Sequence, residues 1–446
     1  MMKIIKYTAL LVLAISLISC KKFLDERPQS SLRVPKTPAD FQSLLDNYAA
    51  MNYMDLASSE MVAGDFYLTD ADWTSRAEAE RRLYLWETSN VFGASDWTNM
   101  YNMIYRANTV IEATDELLAS NNNVLWNNVL GQGYYYRAKC LLQLLSSYSL
   151  AYDENEQNPG IPLRLDTDFN KKSVRSTVTQ GYQQVVEDLK KAVRLLEVTP
   201  VHVMRPSKPA AHALFARTYL MMRKYEEAGL HADSCLQLKS DLIDYNTLNQ
   251  ALTNPFVMFH PETIHYTRFQ TPSSLNNIRA KISLEIINSY ADGDLRKQVL
   301  FRLSGGTYAF RGSYSGETIP FGGLATNEIY LIRAESNTRA GRIQLAMDDL
   351  NKLVKTRWDK NKTFMAYAAT TKEQALDLVL QERRKELVLR GLRWSDIKRL
   401  NKEGREITLK RTINGVTYTL PANSPRFANP IPESVIEISG MEQNKY

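Results

Sequence analysis

The sequence predicts an all-α fold, a scaffold of tetratricopeptide-like helix pairs interrupted by one loop-rich insertion. Three observations lead there. From Asn327 to Leu400, Ile329, Ile332 and Ala334 precede a turn at Gly341, and Ala346, Leu350, Leu353 and Val354 follow it at three- and four-residue steps, the period of a helical hairpin. A further helix from Glu373 to Arg390 stops at Gly391 and restarts through Trp394, Ile397 and Leu400. Two upstream segments share the texture: Trp97–Leu118 with Leu125–Tyr152, and Tyr182–Leu196 with Pro209–Leu238. In them Tyr135, Arg137 and Ala138, then Ala213, Ala216, Tyr219 and Ala228, mirror Tyr330, Arg333 and Ala334. A unit of roughly 34 residues that cannot bury its own face is the mark of stacked repeats. Between Lys239 and Thr326 that period fades, and Gly305, Gly306, Gly312 and Gly316 alternate with Tyr308, Phe310 and Tyr314.

Taken in order, the chain opens with an export signal. Residues 1–19 carry Lys3 and Lys6, an apolar run from Tyr7 to Ile18, and the ending Leu17-Ile18-Ser19 before Cys20. The run is shorter than the roughly 20 residues a spanning helix needs, and it reads as a lipoprotein signal peptide. Cleavage before Cys20 leaves a thiol to be acylated and an amine to be capped, so the chain is expected to be anchored to a membrane without spanning it. Residues 20–38, with Pro28, Pro35 and Pro38, read as a lipidated tether.

The body from 39 to 446 divides into a first part, 39–238, the insertion, 239–326, and a last part, 327–446. Its composition is that of a globular chain, 44% hydrophobic and 23% charged. Loss of Lys3 and Lys6 takes the formal charge from +6 to +4. The basic run Arg383–Arg411 is interleaved with Glu386, Asp396, Glu403 and Glu406, which is a salt-bridged face rather than a nucleic-acid site. Cys140 and Cys235 lie in helical patterns and are expected as buried free thiols.

From Met61 to Trp97, aromatic rings sit beside carboxylates and an arginine. Pyranose rings stack their C–H faces on aromatic rings while their hydroxyls pair with polar groups, so this mixture suits a carbohydrate-binding face. The candidate ligand residues are Asp65, Tyr67, Trp73, Arg76, Tyr84 and Trp86, joined by Tyr308 and Tyr314 from the insertion, with Trp73 or Tyr67 expected to be exposed. Gln270–Leu275 and Arg302–Gly316 are the candidate ligand-facing loops. The glycines there match neither GxxxxGK[ST] nor GxGxxG, so they are no phosphate cradle.

An enzyme reading rests on Glu382 and Glu386, one helical turn apart, since a glycosidase needs two carboxyls about 5 to 10 Å apart across an open cleft, one with a raised pKa. Against it, Arg383 is placed to reach Glu386, and Arg393, Trp394 and Asp396 follow closely, which favours a buried network tying helices together. His260 and His265 flank Pro261 without an HExxH spacing, and Asp153–Glu156 lacks the glycine and closing glutamate of an EF-hand. No metal, no cofactor and no catalysis is therefore expected. A pure protein-holding adaptor remains a further alternative.

The segments CKKFLDERPQSSL, WTNMYNMIYRANTVIE, SKPAAHALFARTYLMMRKYEEA, QERRKELVLRGLRWSDIKRL and IPESVIEISGMEQN, in this order and spacing, resemble the RagB/SusD family of outer-membrane nutrient-binding lipoproteins. The resemblance implies about four tetratricopeptide-like helix pairs and a less regular ligand-facing half. It also implies an extracellular-facing lipoprotein that covers a SusC-like TonB-dependent barrel and captures a glycan, or alternatively a peptide, for import. Acids follow Cys20 only at Asp25 and Glu26, so surface exposure follows from the family resemblance rather than from those residues.

Overall fold

The computed structural model describes residues 35–118 and 124–446. The signal segment and Cys20 lie outside them. One unit ends at Phe41 and a second runs from Gln42 to Tyr446. Among the described residues there are 17 helices, with 49% of the chain helical and only short strands, which is the predicted all-α class.

After α1 (Pro38–Leu45), two short helices, α2 (Tyr48–Met51) and α3 (Ser58–Val62), lead to strand β1 (Phe66–Tyr67), α4 (Asp70–Thr74) and α5 (Glu78–Tyr84). Long helices α6 (Ala94–Leu118) and α7 (Val124–Tyr148) follow, then strands β2 (Pro159–Pro162) and β3 (Arg175–Thr177), which form a ladder. Helices α8 (Val178–Leu195), α9 (Lys208–Met221) and α10 (Tyr225–Leu238) continue the scaffold.

Local chemistry starts and spaces these helices. Thr177 and Gln180 form a capping box at the head of α8, and Ser207 caps α9 ahead of Pro209. Val178, Tyr182, Val185, Leu189 and Ala192 give α8 one buried stripe, laid on α7. Contact there is close: a Cβ on Gly181 would come within 2.7 Å of Leu145, and one on Gly229 of α10 within 2.8 Å of Ser336. Pro209–Leu238 is two helices, not the one helix expected, because the chain breaks at Arg223 with φ +61°.

The insertion contributes β4 (Thr263–His265), β5 (Lys281–Ile282), α11 (Leu284–Ser289), α12 (Arg296–Leu300), β6 (Phe301–Ser304), β7 (Thr307–Phe310) and β8 (Leu324–Ala325). A four-stranded sheet of order β1-β5-β7-β6 ties residues 66–67 to this region. The scaffold resumes with α13 (Thr326–Arg339), α14 (Ile343–Lys355), α15 (Lys372–Glu386) and α16 (Arg393–Asn401). Leu331, Ala334, Ala346, Leu350 and Val379 from α13, α14 and α15 form one core cluster. Gly341 and Gly391 end α13 and the α15 segment with φ of +76° and +73°, the left-handed turns expected there. Strands β9 (Leu409–Ile413) and β10 (Val416–Leu420) form a hairpin around Asn414 and Gly415, both at positive φ, before α17 (Glu433–Ser439).

Candidate ligand-binding shelf

Local turn chemistry builds a shelf beside β1. Thr69 caps α4 through the Asp72 amide at 3.1 Å and donates its hydroxyl to the Asp72 carboxylate at 2.8 Å. That short helix holds Trp73 half-buried, with its indole N–H directed at Arg81 O (3.4 Å) and the Arg81 guanidinium 5.2 Å from the ring centroid. Arg76 donates to Asp72 O at 3.1 Å and to the Ser273 hydroxyl at 2.6 Å. Buried Glu80 accepts from Ser273 and from the Ser274 amide at 2.8 Å, which lays the Gln270–Leu275 loop against the shelf. Tyr67 pairs in register with Lys281, whose ammonium lies 3.9 Å from Asp72. Tyr67 and Trp73, partly buried rather than exposed as expected, thus lie among Asp72, Arg76 and Lys281.

The structure separates the other candidates from this shelf. Asp65 is 1% exposed, with Arg384 at 3.4 Å and Arg393 at 3.9 Å. Burial pushes its carboxyl up and those arginines act against the shift. Tyr84 and Trp86 are also buried, and the reason is Arg411 on β9. Its guanidinium lies 3.7 Å from the Tyr84 centroid and 4.8 Å from Trp86, and it donates to Met61 O at 2.7 Å. A cage that looked open to ligand is filled by the chain's own cation. Tyr314 is buried too, donating to Glu262 at 2.6 Å and accepting from Asn327 at 3.1 Å. Tyr308 is half-exposed, but Lys281 pairs with Ala309, so Tyr308 lies one residue off that row, on the face opposite Tyr67.

Glu382 and Glu386 are fixed as ions. Glu382 meets Arg296 at 2.6 Å and accepts from Tyr367 at 2.7 Å. Glu386 accepts from Arg357 at 2.9 Å, Arg296 at 3.1 Å and Asn327 at 2.9 Å. Burial, the largest influence, pushes Glu386 up, but Arg357 and Arg296 outweigh it and hold the carboxyl down at about 2. Glu382 is lowered in the same way by Arg296 and Lys385. A general acid needs the opposite shift. The expected Arg383–Glu386 contact gives way to another pairing: Arg383 reaches Asp396 at 2.8 Å, and Asp396 in turn holds Arg399 at 2.8 Å. Trp394 packs on Phe427 with centroids 4.6 Å apart. The network exists as several clusters rather than one.

Sequence reasoning placed Ser273 only as part of the Gln270–Leu275 loop, and missed Lys281 and the caging role of Arg411. Arg411 lies in LKRTINGVTYTL, whose Asn-Gly between alternating residues is a hairpin signal. The two-residue strand carrying Lys281 offers no period to detect.

This fold and surface define a class: a helical-repeat scaffold presenting an aromatic, polar shelf on loops held against it. Residues 22–220 match a family model described as starch-binding associating with outer membrane, and residues 268–446 match the SusD family. The chain belongs to the SusD/RagB family. Similar solved structures include a SusD superfamily protein from Bacteroides vulgatus (TM-score 0.75, 22% identity, covering 92% of this chain and 99% of that one). A SusD superfamily protein from Bacteroides thetaiotaomicron follows at TM-score 0.73 and 20% identity, covering 92% and 100%. A SusD-like carbohydrate binding protein from Bacteroides vulgatus has TM-score 0.71 and 19% identity, covering 91% and 97%. No curated protein matches the sequence.

Proposed function

We propose that this chain is a lipid-anchored, outward-facing outer-membrane protein that binds glycans on the shelf and passes them to a SusC-like TonB-dependent barrel. On this reading residues 1–19 are removed, Cys20 carries the lipid, and the tether ends near residue 38. Among the described residues no helix is long and apolar enough to cross a membrane. The observation that carries the reading is the juxtaposition of partly buried Tyr67 and Trp73 with Asp72, Arg76 and Lys281, in a chain whose family is described as starch-binding. The rings stack on pyranose faces, and the charged groups take the hydroxyls. An open shelf of this kind gives affinities of about micromolar to millimolar. Tethering at the pore mouth raises the effective ligand concentration and makes weak capture sufficient.

Protein beginning after Cys20 is run in native gels containing a panel of polysaccharides, and the same mixtures are assayed for new reducing ends. Retardation without hydrolysis, lost in Trp73→Ala, is the expected result. Hydrolysis would defeat the binding-only reading, and no retardation by any glycan would favour a peptide ligand. Retardation that survives Trp73→Ala would move the site elsewhere. The next candidate is a groove of about 330 Å³ lined by Trp97, Tyr101, Tyr105 and Phe169.

A further inference from the structure

Where the loops around Phe269 and Gly322 meet α7 and α9 lies a cavity of about 40 Å³ lined in part by Lys139, Arg217 and Arg390. All three side chains are more than nine-tenths buried. Two of the cations are paired. Lys139 Nζ lies 2.5 Å from Asp55 Oδ1, and Arg217 grips both oxygens of Glu328 at 2.8 and 2.6 Å.

Arg390 is not matched in this way. Its Nη2 makes a 3.3 Å bond to Gly323 O and stands 4.0 Å from Glu328, a carboxylate Arg217 already occupies. Its Nε has no hydrogen-bond partner among the described residues. Otherwise the guanidinium lies over the rings of Phe321 and Tyr314, at 4.6 and 5.4 Å. Glu60 also comes near, but its carboxyl group accepts from the Gly391 amide at 2.7 Å and makes no bond to Arg390.

At contact distance Arg390 therefore has only a carboxylate shared with Arg217, Glu386 acting on it from farther off, and a guanidinium cannot discard its proton. A buried charge without a counter-charge is costly, and water supplies dipoles but no charge. A space of about 40 Å³ admits two or three waters or one small ion, and it is too small for a sugar ring. We propose that this cavity binds a small monovalent inorganic anion of the halide class between Arg390, Arg217 and Lys139. The anion completes the joint between the ligand-facing loops and the helical scaffold. Nothing in this assignment depends on which ligand the shelf takes.

Thermal unfolding of the full-length protein in detergent is followed in sodium chloride, sodium bromide and sodium gluconate at equal ionic strength. The halides are expected to raise the melting temperature by about 2 °C over gluconate, and Arg390→Met abolishes the difference. Equal melting in all three salts overturns the proposal, as does a halide shift that Arg390→Met retains. Bromide-soaked crystals of the unaltered protein give a test that does not require the variant to fold. An anomalous peak beside Arg390 supports the site, and ordered water alone there overturns it.

Discussion

The Trp73 shelf and the Tyr84–Trp86 cage are built from the same chemistry a few residues apart, yet only one of them faces solvent. In both, aromatic rings accompany an arginine, and at the shelf carboxylates join them. At the shelf Arg76 and Arg81 come from nearby residues and Lys281 from the insertion, and together they leave the Tyr67 and Trp73 rings only partly buried. At the cage, Arg411 arrives from 327 positions away and seals the rings. Residue type sets what a patch can bind, and the long-range partner decides whether the patch is already occupied.

Removing closed polar groups should carry a large cost. Glu386→Ala leaves Arg296 and Arg357 buried with less negative charge between them and should cost about 4 kcal/mol, read from the urea midpoint. Arg411→Ala empties the cage and strands the Met61 carbonyl, for about 3 kcal/mol. Glycan retardation by the protein that still folds should persist, because the shelf keeps its own contacts; loss of binding alongside stability would merge the two regions.

Glu60 makes the closed interior sensitive to pH. Burial first, then Asp65, raises its pKa from 4.5 to about 8. The contribution of this group to stability is therefore complete below about pH 4.5 and is lost as pH rises toward 8. Glu60→Gln should match the parent near pH 4 and exceed it by about 2 kcal/mol at pH 7.5. A constant difference across that range would count against the buried acid. The smallest stability effect belongs to the open shelf. Trp73→Ala should change unfolding by less than about 1 kcal/mol while weakening glycan binding about 10-fold by titration calorimetry.

Much of the scaffold was legible because its signals are local. Gly341 and Gly391 mark left-handed helix ends, and the apolar stripes of α8 and α14 have the right period. The break at Arg223 was not legible, since a non-glycine residue takes the left-handed conformation there under tertiary constraint. Strands β1 and β5 are two residues long and have no readable period. At the site, Tyr67, Trp73 and Arg76 could be grouped because they are neighbours in sequence. The burial of Asp65, Tyr84, Trp86 and Tyr314 is decided by Arg384, Arg411, Glu262 and Asn327, none of them close in sequence except Asn327.

Ribosomal synthesis proceeds from the N-terminus, so Tyr84 and Trp86 emerge long before the β-hairpin that shields them. Until residue 411 has been made, the nascent chain displays a greasy, cation-seeking surface. Closing a contact across so many residues is slow, and the interval is a window for misassembly. The last tenth of the polypeptide thus works as a checkpoint on the first fifth, and a copy that terminates early would carry its flaw near the beginning.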